Sequence, residues 1–203
     1  MMKLIGTYTS PYVRKTRIVL TEKKIDYELV LDSPWEEGSG VPNFNPLGKV
    51  PILVLDDEST LFDSRVICEY LDHVTPNSRL LPQTNRERIQ VKRWEALSDG
   101  VCDAAANIVV EMKRKPELRS ADWIARQKDK VVRGVQAMAN DLGDSAWCHG
   151  NSLTLADIAA GTALGYLSFR LADFDWRSSH PKLAKFHDKL MQRASFADTA
   201  PHD

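Results

Sequence analysis

The feature that most limits the fold of this chain is a change of pattern near residue 75. Up to residue 74, short β-rich runs alternate with segments of helical periodicity, whereas strand signals almost disappear from residue 86 onward. Strands that alternate with helices predict a mixed sheet with helices on its faces. We therefore expect an α/β domain over residues 1–78 and an all-α domain over residues 86–203, joined by a polar linker.

The order of elements follows from the periodicity of each segment. In the first domain we expect strands over residues 4–8, 27–31, 51–55 and 60–62, and helices over 11–24 and 64–74. The segment 32–47 holds three prolines, so it is expected to be a loop with at most one helical turn. In the second domain we expect a long amphipathic helix marked by apolar positions from Ile89 to Met112, and further helices over 123–142, 155–169 and 181–192.

The composition is ordinary for a soluble protein and excludes several classes of function. The 203 residues are 43% hydrophobic and 27% charged, and the net charge of -1 gives no footprint for nucleic acid or an anionic membrane. No apolar run approaches the roughly 18 residues that span a bilayer. Cys68, Cys102 and Cys148 are far apart and form no CxxC motif, and the five histidines are scattered. We therefore expect a cytoplasmic protein without a metal.

The first candidate site is the turn Tyr8-Thr9-Ser10-Pro11, between the first strand and the first helix. Ser is a good N-cap residue and Pro suits the first helical position, so Ser10 is expected to cap this helix. The same position places a hydroxyl beside a helix N-terminus at the carboxyl end of a strand, where anions bind readily. Ser10 could therefore also donate a hydrogen bond to a thiolate, and both interpretations stay open at this point.

The second candidate site is the stretch Asn45-Pro46-Leu47-Gly48-Lys49-Val50-Pro51, which leads into the third strand. Pro at the first position of a strand is compatible with an ordinary trans peptide bond. The alternative is a cis Val50–Pro51 bond, the minority form of an X-Pro bond. A cis bond would leave the backbone groups of Val50 free to pair with an extended peptide.

Two further motifs lie at the starts of helices. Asp63-Ser64 precedes an apolar helix, and both residues are of the capping type. Ser64 and the free N–H groups of that helix start could in addition hold a substrate carboxylate. Thr154 and Asp157 form a capping box with a flanking hydrophobic staple, which we interpret as structural.

Together, these four motifs resemble the glutathione S-transferase superfamily over nearly the whole chain. Their order and spacing agree with that family, and residues 8–15, Tyr-Thr-Ser-Pro-Tyr-Val-Arg-Lys, are similar to its small bacterial serine-type branch. The resemblance implies a thioredoxin-like, glutathione-binding first domain followed by an all-α helical domain, and a two-fold homodimer. It also implies glutathione as co-substrate and a small electrophile as the second substrate, the chemistry of detoxification.

The resemblance implies a role for each matching residue around glutathione. The backbone of Val50 pairs with the cysteinyl part of the peptide, and Pro51 is the cis proline. Asp63 and Ser64 hold the γ-glutamyl end, and Lys49 lies near the glycyl end.

The resemblance also implies a catalytic role for Ser10, as the hydrogen-bond donor to the glutathione sulfur. Position 10 is not Cys, so the cysteine-type chemistry of many bacterial members is not expected. Tyr8 and Thr9 remain alternative donors. We rank Tyr8 below Ser10 because its side chain should be committed to one face of the first strand.

The leading hypothesis is an enzyme that activates the glutathione thiol for attack on a small electrophile. A glutathione-binding protein without turnover, structural or regulatory, has the same motifs, because a fold does not fix a function. A glutaredoxin-like thiol reductase is a third hypothesis, against which the missing cysteine near position 10 argues.

Overall fold

The computed structural model describes residues 1–203, which divide into two compact units. The first unit comprises Met1–Leu81 together with Arg193–Asp203, and the second comprises Pro82–Gln192. The sequence pattern placed residues 193–203 with the second domain, whereas the structure packs them against the first. The first unit is a mixed sheet with helices and the second is helical, as the pattern predicts.

The first unit is built on a four-stranded sheet. Its strands are β1 (Met2–Gly6), β2 (Tyr27–Leu31), β3 (Ile52–Val54) and β4 (Thr60–Phe62), in the spatial order β2-β1-β3-β4. β1 runs parallel to β2 and antiparallel to β3, and β3 is antiparallel to β4. Ile5 and Ile52, paired across β1 and β3, are buried with Val41 in one core cluster.

Four helices belong to this unit: α1 (Pro11–Lys23), α2 (Val41–Phe44), α3 (Ser64–Val74) and α9 (Ala194–Ala197). α2 is the single helical turn expected in the loop. β1 ends at Gly6, not at residue 8 as predicted, because the chain there passes directly against α1. A Cβ atom on Gly6 would lie 2.4 Å from Cγ2 of Val13, so only glycine allows this approach.

A buried ion pair ties the end of α1 to the segment after α3. Lys23 is fully buried, and its ammonium donates to the carboxylate of Asp72 at 3.2 Å and to the carbonyls of Asp72, Thr75 and Ser78. The Asp72 carboxylate also accepts hydrogen bonds from the amides of Leu80 and Leu81. Because these charges are matched by hydrogen bonds, the pair holds the polar segment that follows α3 against the first unit.

The second unit consists of helices only. They are α4 (Asn85–Met112), α5 (Ala121–Leu142), α6 (Leu155–Arg170), α7 (Trp176–Ser179) and α8 (Pro181–Met191), with a 3₁₀ turn at Pro116–Leu118. The long α4 packs against both α5 and α6. Gly134 of α5 lies so close to Val101 of α4 that a Cβ atom would approach the valine within 2.4 Å. None of the helices is both long and apolar enough to pass through a bilayer.

The predicted capping box is present at the start of α6. Thr154 is the N-cap residue, and the Asp157 carboxylate accepts hydrogen bonds from the Thr154 amide and hydroxyl, both at 2.8 Å. It also accepts one from the amide of Cys148 at 2.7 Å. Burial nevertheless raises the pKa of Asp157 above its ordinary value. The box thus starts a helix that is buried along most of its length, Leu155–Leu167.

Candidate functional site

The sheet register brings the three candidate motifs of the first unit to one edge. Ile5 of β1 pairs with Ile52 of β3, and Ile52 pairs with Phe62 of β4. The carboxyl end of β1, the start of β3 and the carboxyl end of β4 therefore lie side by side. The segments that continue from these three ends carry Ser10, Val50–Pro51 and Asp63–Ser64.

Ser10 caps α1, and its hydroxyl can still donate. Its backbone is extended (φ −78°, ψ 123°), and its side-chain oxygen accepts a hydrogen bond from the amide of Val13 at 3.3 Å. A serine hydroxyl has two acceptor lone pairs and one separate O–H donor. Capping uses a lone pair and leaves the O–H group, so the capping role and the proposed role toward a thiolate are compatible.

The two alternative donors have other contacts. Thr9 shares a hydrogen bond between its hydroxyl and that of Thr7 at 3.2 Å. Tyr8 lies in a turn, not in β1 as we expected, so the argument that ranked it below Ser10 was wrong. Its ring stacks on the imidazole of His202, with 4.4 Å between the ring centroids, and Arg17 lies 5.2 Å from its centroid.

Asn45 organises the loop before β3. Its side-chain amide donates to the carbonyl of Lys49 at 2.8 Å, and its side-chain oxygen accepts from the amide of Leu47 at 3.0 Å. The backbone carbonyl of Asn45 accepts from the amide of Gly48, whose φ of +61° is one that glycine adopts without strain. A buried asparagine thus fixes the path of this loop into β3.

The Val50–Pro51 peptide bond is cis, which confirms the prediction. The side chain of Val50 packs against the core cluster of Ile5, Val41 and Ile52. Strand pairing of β3 begins at Ile52, so the backbone of Val50 lies outside the sheet ladder. Lys49, one residue earlier, is exposed.

Asp63 and Ser64 open α3, and only the first of them is the cap. The Asp63 carboxylate accepts a hydrogen bond from the amide of Arg65 at 2.9 Å, and its backbone has φ 62° and ψ 124°. Ser64 is the first residue of the helix and is 3% exposed. Positive φ is unusual for a non-glycine residue, and residues held in strained conformations often cluster at functional sites.

Sequence reasoning missed two parts of this region. The first is Asn45, although an Asn-Pro-x-Gly stretch is a recognisable turn in which the asparagine side chain bonds its own backbone neighbours. The second is the contact of residues 193–203 with α1 and Tyr8, which spans more than 170 residues of sequence. No local pattern predicts a contact at that separation.

The acidic, histidine and cysteine side chains are dispersed over the chain. Nowhere in the chain do three or more His, Cys, Asp or Glu side chains cluster as metal ligands. None of the three cysteines forms a disulfide; Cys68 is buried in α3, and Cys102 and Cys148 belong to the second unit. This edge of the sheet thus offers a ligand three kinds of partner: a hydroxyl group, a strand-like backbone and the N-termini of two helices.

These features are those of a glutathione S-transferase, and family comparison agrees. Residues 9–74 match the family model of the glutathione S-transferase N-terminal domain, and residues 121–189 match that of the C-terminal domain. The two matches cover more than half of the chain. The chain therefore belongs to the glutathione S-transferase family.

Individual relatives match over nearly the full length. The chain is 40% identical over 200 residues to an uncharacterised GST-like protein of Escherichia coli K12, YibF, and 98% of each chain is covered. It is 48% identical to a glutathione S-transferase from Methylobacillus flagellatus KT solved with glutathione bound, with a TM-score of 0.97 and full coverage of both chains. A transferase from Methylobacterium radiotolerans solved with glutathione sulfonate is 42% identical, with a TM-score of 0.96, and 100% and 95% of the two chains are covered.

Proposed function

We propose that the protein binds glutathione at the shared edge of β1, β3 and β4 and activates its thiol for attack on a small electrophile. The observation that carries this proposal is the register Ile5–Ile52–Phe62, which places Ser10, Val50–Pro51 and Asp63–Ser64 at one edge. A 48% identical relative has been solved with glutathione bound, which supports the same ligand for this chain.

Each end of glutathione has a complementary partner in this proposal. The backbone of Val50, outside the sheet ladder, pairs with the cysteinyl residue as an added strand does. Ser64 and the amides at the start of α3 receive the γ-glutamyl carboxylate, while Asp63 receives its ammonium group. Lys49 is exposed beside the cis proline and attracts the glycyl carboxylate.

Ser10 donates its O–H group to the thiolate in this mechanism and does not act as a nucleophile. A free thiol has a pKa near about 8.5, so most of it is protonated at neutral pH. Lowering that pKa by one to two units requires about 1.4–2.7 kcal/mol of preference for the thiolate. One charge-assisted hydrogen bond together with the N-terminus of α1 provides stabilisation of that order.

The test is the pH dependence of thiolate absorbance in the glutathione complex. Ser10→Ala is expected to raise the pKa of bound glutathione by about one unit, the equivalent of one such hydrogen bond. Its glutathione affinity should change little, because Val50 and Ser64 hold the peptide elsewhere. Thr9→Ala and Tyr8→Phe are the matched controls and should titrate as the wild type does.

Other outcomes would redirect the proposal. Coincident curves for wild type and Ser10→Ala would reduce Ser10 to a helix cap, and a shifted control would identify the actual donor. Adduct formation over a panel of electrophiles then separates an enzyme from a glutathione-binding protein without turnover. The first outcome concerns the donor, and the second concerns the class of function.

We also propose a two-fold homodimer in the cytoplasm. A shallow groove between α4 and α5 is lined by Gly100, Lys130 and Arg133, among others. The first unit in turn exposes the apolar side chains of Leu47 and Val66, by 68% and 51%. We propose that these two surfaces take part in the contact between the subunits. Three cysteines that form no disulfide suit a reducing compartment.

A further inference from the structure

The turn that carries Ser10 is well held on its helix side, where the Ser10 carbonyl accepts from the amide of Arg14 at 3.0 Å, but weakly held on the side of β1. The amide of Ser10 donates to the carbonyl of Thr7 at 3.4 Å, near the limit of a hydrogen bond. The hydroxyls of Thr7 and Thr9 add one contact at 3.2 Å. A thiolate donor must keep its position to within a fraction of an ångström, so an anchor for residues 7–9 adds to the hold that α1 has on Ser10.

The side chain of Tyr8 supplies that anchor. Its ring stacks on the imidazole of His202 at 4.4 Å between centroids, with 25° between the ring planes. The guanidinium of Arg17 lies 5.2 Å from the same ring. Aromatic stacking and cation–π contacts are both attractive and both restrict where a ring can lie. Because Tyr8 is two residues before Ser10, holding the ring restricts the hydroxyl.

Both groups that hold Tyr8 depend on residues 193–203. Arg17 donates to the carbonyl of Asp198 at 3.5 Å, and His202 is itself part of this segment. The segment is fixed further along α1, where the buried Arg14 donates to the carbonyl of Phe196 at 3.1 Å. The side chain of Phe196 is fully buried.

The far end of the segment is fixed to the last turns of α1. Arg193 makes a bidentate pair with Glu22, with distances of 2.9 and 2.7 Å, and Ser195 donates to the same carboxylate at 2.5 Å. Segment 193–203 therefore contacts α1 from Glu22 near its end to Tyr8 just before its start. The segment therefore does not only bury apolar surface of α1. Its last contact, between His202 and Tyr8, is with the turn that carries Ser10.

We propose that His202 is a positioning residue for the thiolate donor: its ring holds Tyr8, and through Tyr8 the turn that presents Ser10. The inference rests on the proposed function, because it assigns the positioning to a serine that stabilises the glutathione thiolate. His202 is exposed, so its replacement should leave the core intact.

The experiment compares His202→Ala, His202→Phe and a control, His73→Ala, an exposed histidine in the last turn of α3. Amide exchange at Ser10, measured by NMR without glutathione, should accelerate about 2- to 13-fold in His202→Ala, the range that corresponds to one lost aromatic stack. The thiolate pKa of bound glutathione should rise by about 0.4–1 unit in the same variant. His202→Phe, which keeps a ring on Tyr8, and His73→Ala should match the wild type in both measurements.

Each result decides a separate question. Unchanged exchange in His202→Ala overturns the inference, whatever glutathione does. Suppose that Ser10→Ala shifts the thiolate pKa. Faster exchange in His202→Ala with an unchanged thiolate pKa then means that His202 holds the turn but does not affect the thiolate, which overturns that part of the inference. If Ser10→Ala shifts nothing while exchange is faster, the positioning by His202 stands and the proposed role of Ser10 fails. If His202→Phe behaves like His202→Ala, the inference is also contradicted, because the effect then depends on the imidazole group and not on stacking of a ring against Tyr8.

Discussion

Asp63 has a backbone conformation that residues other than glycine rarely adopt. Its φ of +62° with ψ of 124° is strained for an L-residue, by about 1–3 kcal/mol at positions of this kind. The same residue caps α3 through the amide of Arg65. Glu58, in the hairpin between β3 and β4, is also at positive φ, at +67°, but lies away from the proposed glutathione site. Substitutions at these two positions can therefore distinguish an effect of backbone strain on stability from an effect on glutathione binding.

Asp63→Gly is expected to raise the free energy of unfolding by up to about 1 kcal/mol. The substitution relieves the backbone strain, and this gain exceeds two losses: the helix cap is removed, and glycine makes the unfolded chain more flexible. Glutathione affinity should fall. Denaturant unfolding and calorimetry measure the two effects. Glu58→Gly is the matched control and should gain stability without weakening glutathione binding. A clear loss of stability in Asp63→Gly would show that its contacts outweigh its strain.

Ser64→Ala is expected to weaken glutathione binding much more than it weakens the fold. Loss of a charge-assisted hydrogen bond to a carboxylate costs about 1.5–3 kcal/mol of binding free energy. Because Asp63 and not Ser64 is the N-cap, the cost to folding should be below the roughly 1 kcal/mol of a lost cap. Calorimetry compares this variant with Ser59→Ala, in the exposed hairpin turn. Unchanged affinity would mean that Ser64 does not hold the γ-glutamyl end.

At the scale of elements, the sequence predicts regular structure well and turns less well. The bounds of β2, β4 and α3 are as predicted, because Gly, Pro and polar residues flank clear periodic runs. The short helices α7 and α9 were not predicted, since four residues carry too little periodicity. The three motifs of the proposed glutathione site were recognised in the sequence from the turn residues Ser10, Pro51 and Asp63. The segment around His202 was not, because its role arises from tertiary contact alone.

The attachment of residues 193–203 to α1 should depend on pH through Glu22. Burial raises the pKa of Glu22, but hydrogen bonds from Arg193 and Ser195 and the charge of Arg193 outweigh burial and hold it below its ordinary 4.5. A carboxyl group with a lowered folded pKa stabilises the protein fully above the unfolded value. That stabilisation is lost as the pH falls through the lower folded pKa.

Glu22→Gln therefore should cost about 1 kcal/mol of unfolding free energy near neutral pH, a modest value because the Arg193 side chain is 40% exposed. The difference from wild type should stay constant down to about pH 5 and shrink below about pH 4.5. Denaturant unfolding over that range measures it. Asp57→Asn is the control: its carboxylate also has a lowered pKa, through hydrogen bonds from Ser59, but lies in an exposed turn. A difference for Glu22→Gln that grows toward acid pH would contradict this assignment.

At the scale of the whole molecule, the groove between α4 and α5 has room for a side chain from elsewhere. Gly100 in its lining is exposed, and a Cβ atom on it would meet nothing within 4 Å. A large residue there can be added without disturbing the helix, since Arg has a higher helix propensity than Gly. Gly100 is therefore a position at which the proposed dimer can be tested without disturbing the fold.

We expect light scattering at micromolar concentration to give twice the monomer mass of 22.9 kDa for the wild type. Gly100→Arg should shift the protein toward the monomer, because it fills the groove and adds a third cation beside Lys130 and Arg133. Asn107→Arg, at an exposed position further along α4 and outside the groove lining, should remain dimeric. A wild-type protein that is monomeric at this concentration would rule out the proposed dimer.

The return of residues 193–203 to the first unit has a consequence for biosynthesis. Everything from Pro82 to Gln192 emerges from the ribosome before the partners of Arg14 and Glu22 exist. At roughly 5–20 residues per second, the nascent sheet and α1 wait about five to twenty seconds with that flank uncovered. The first unit therefore becomes complete only after the whole helical unit has been translated.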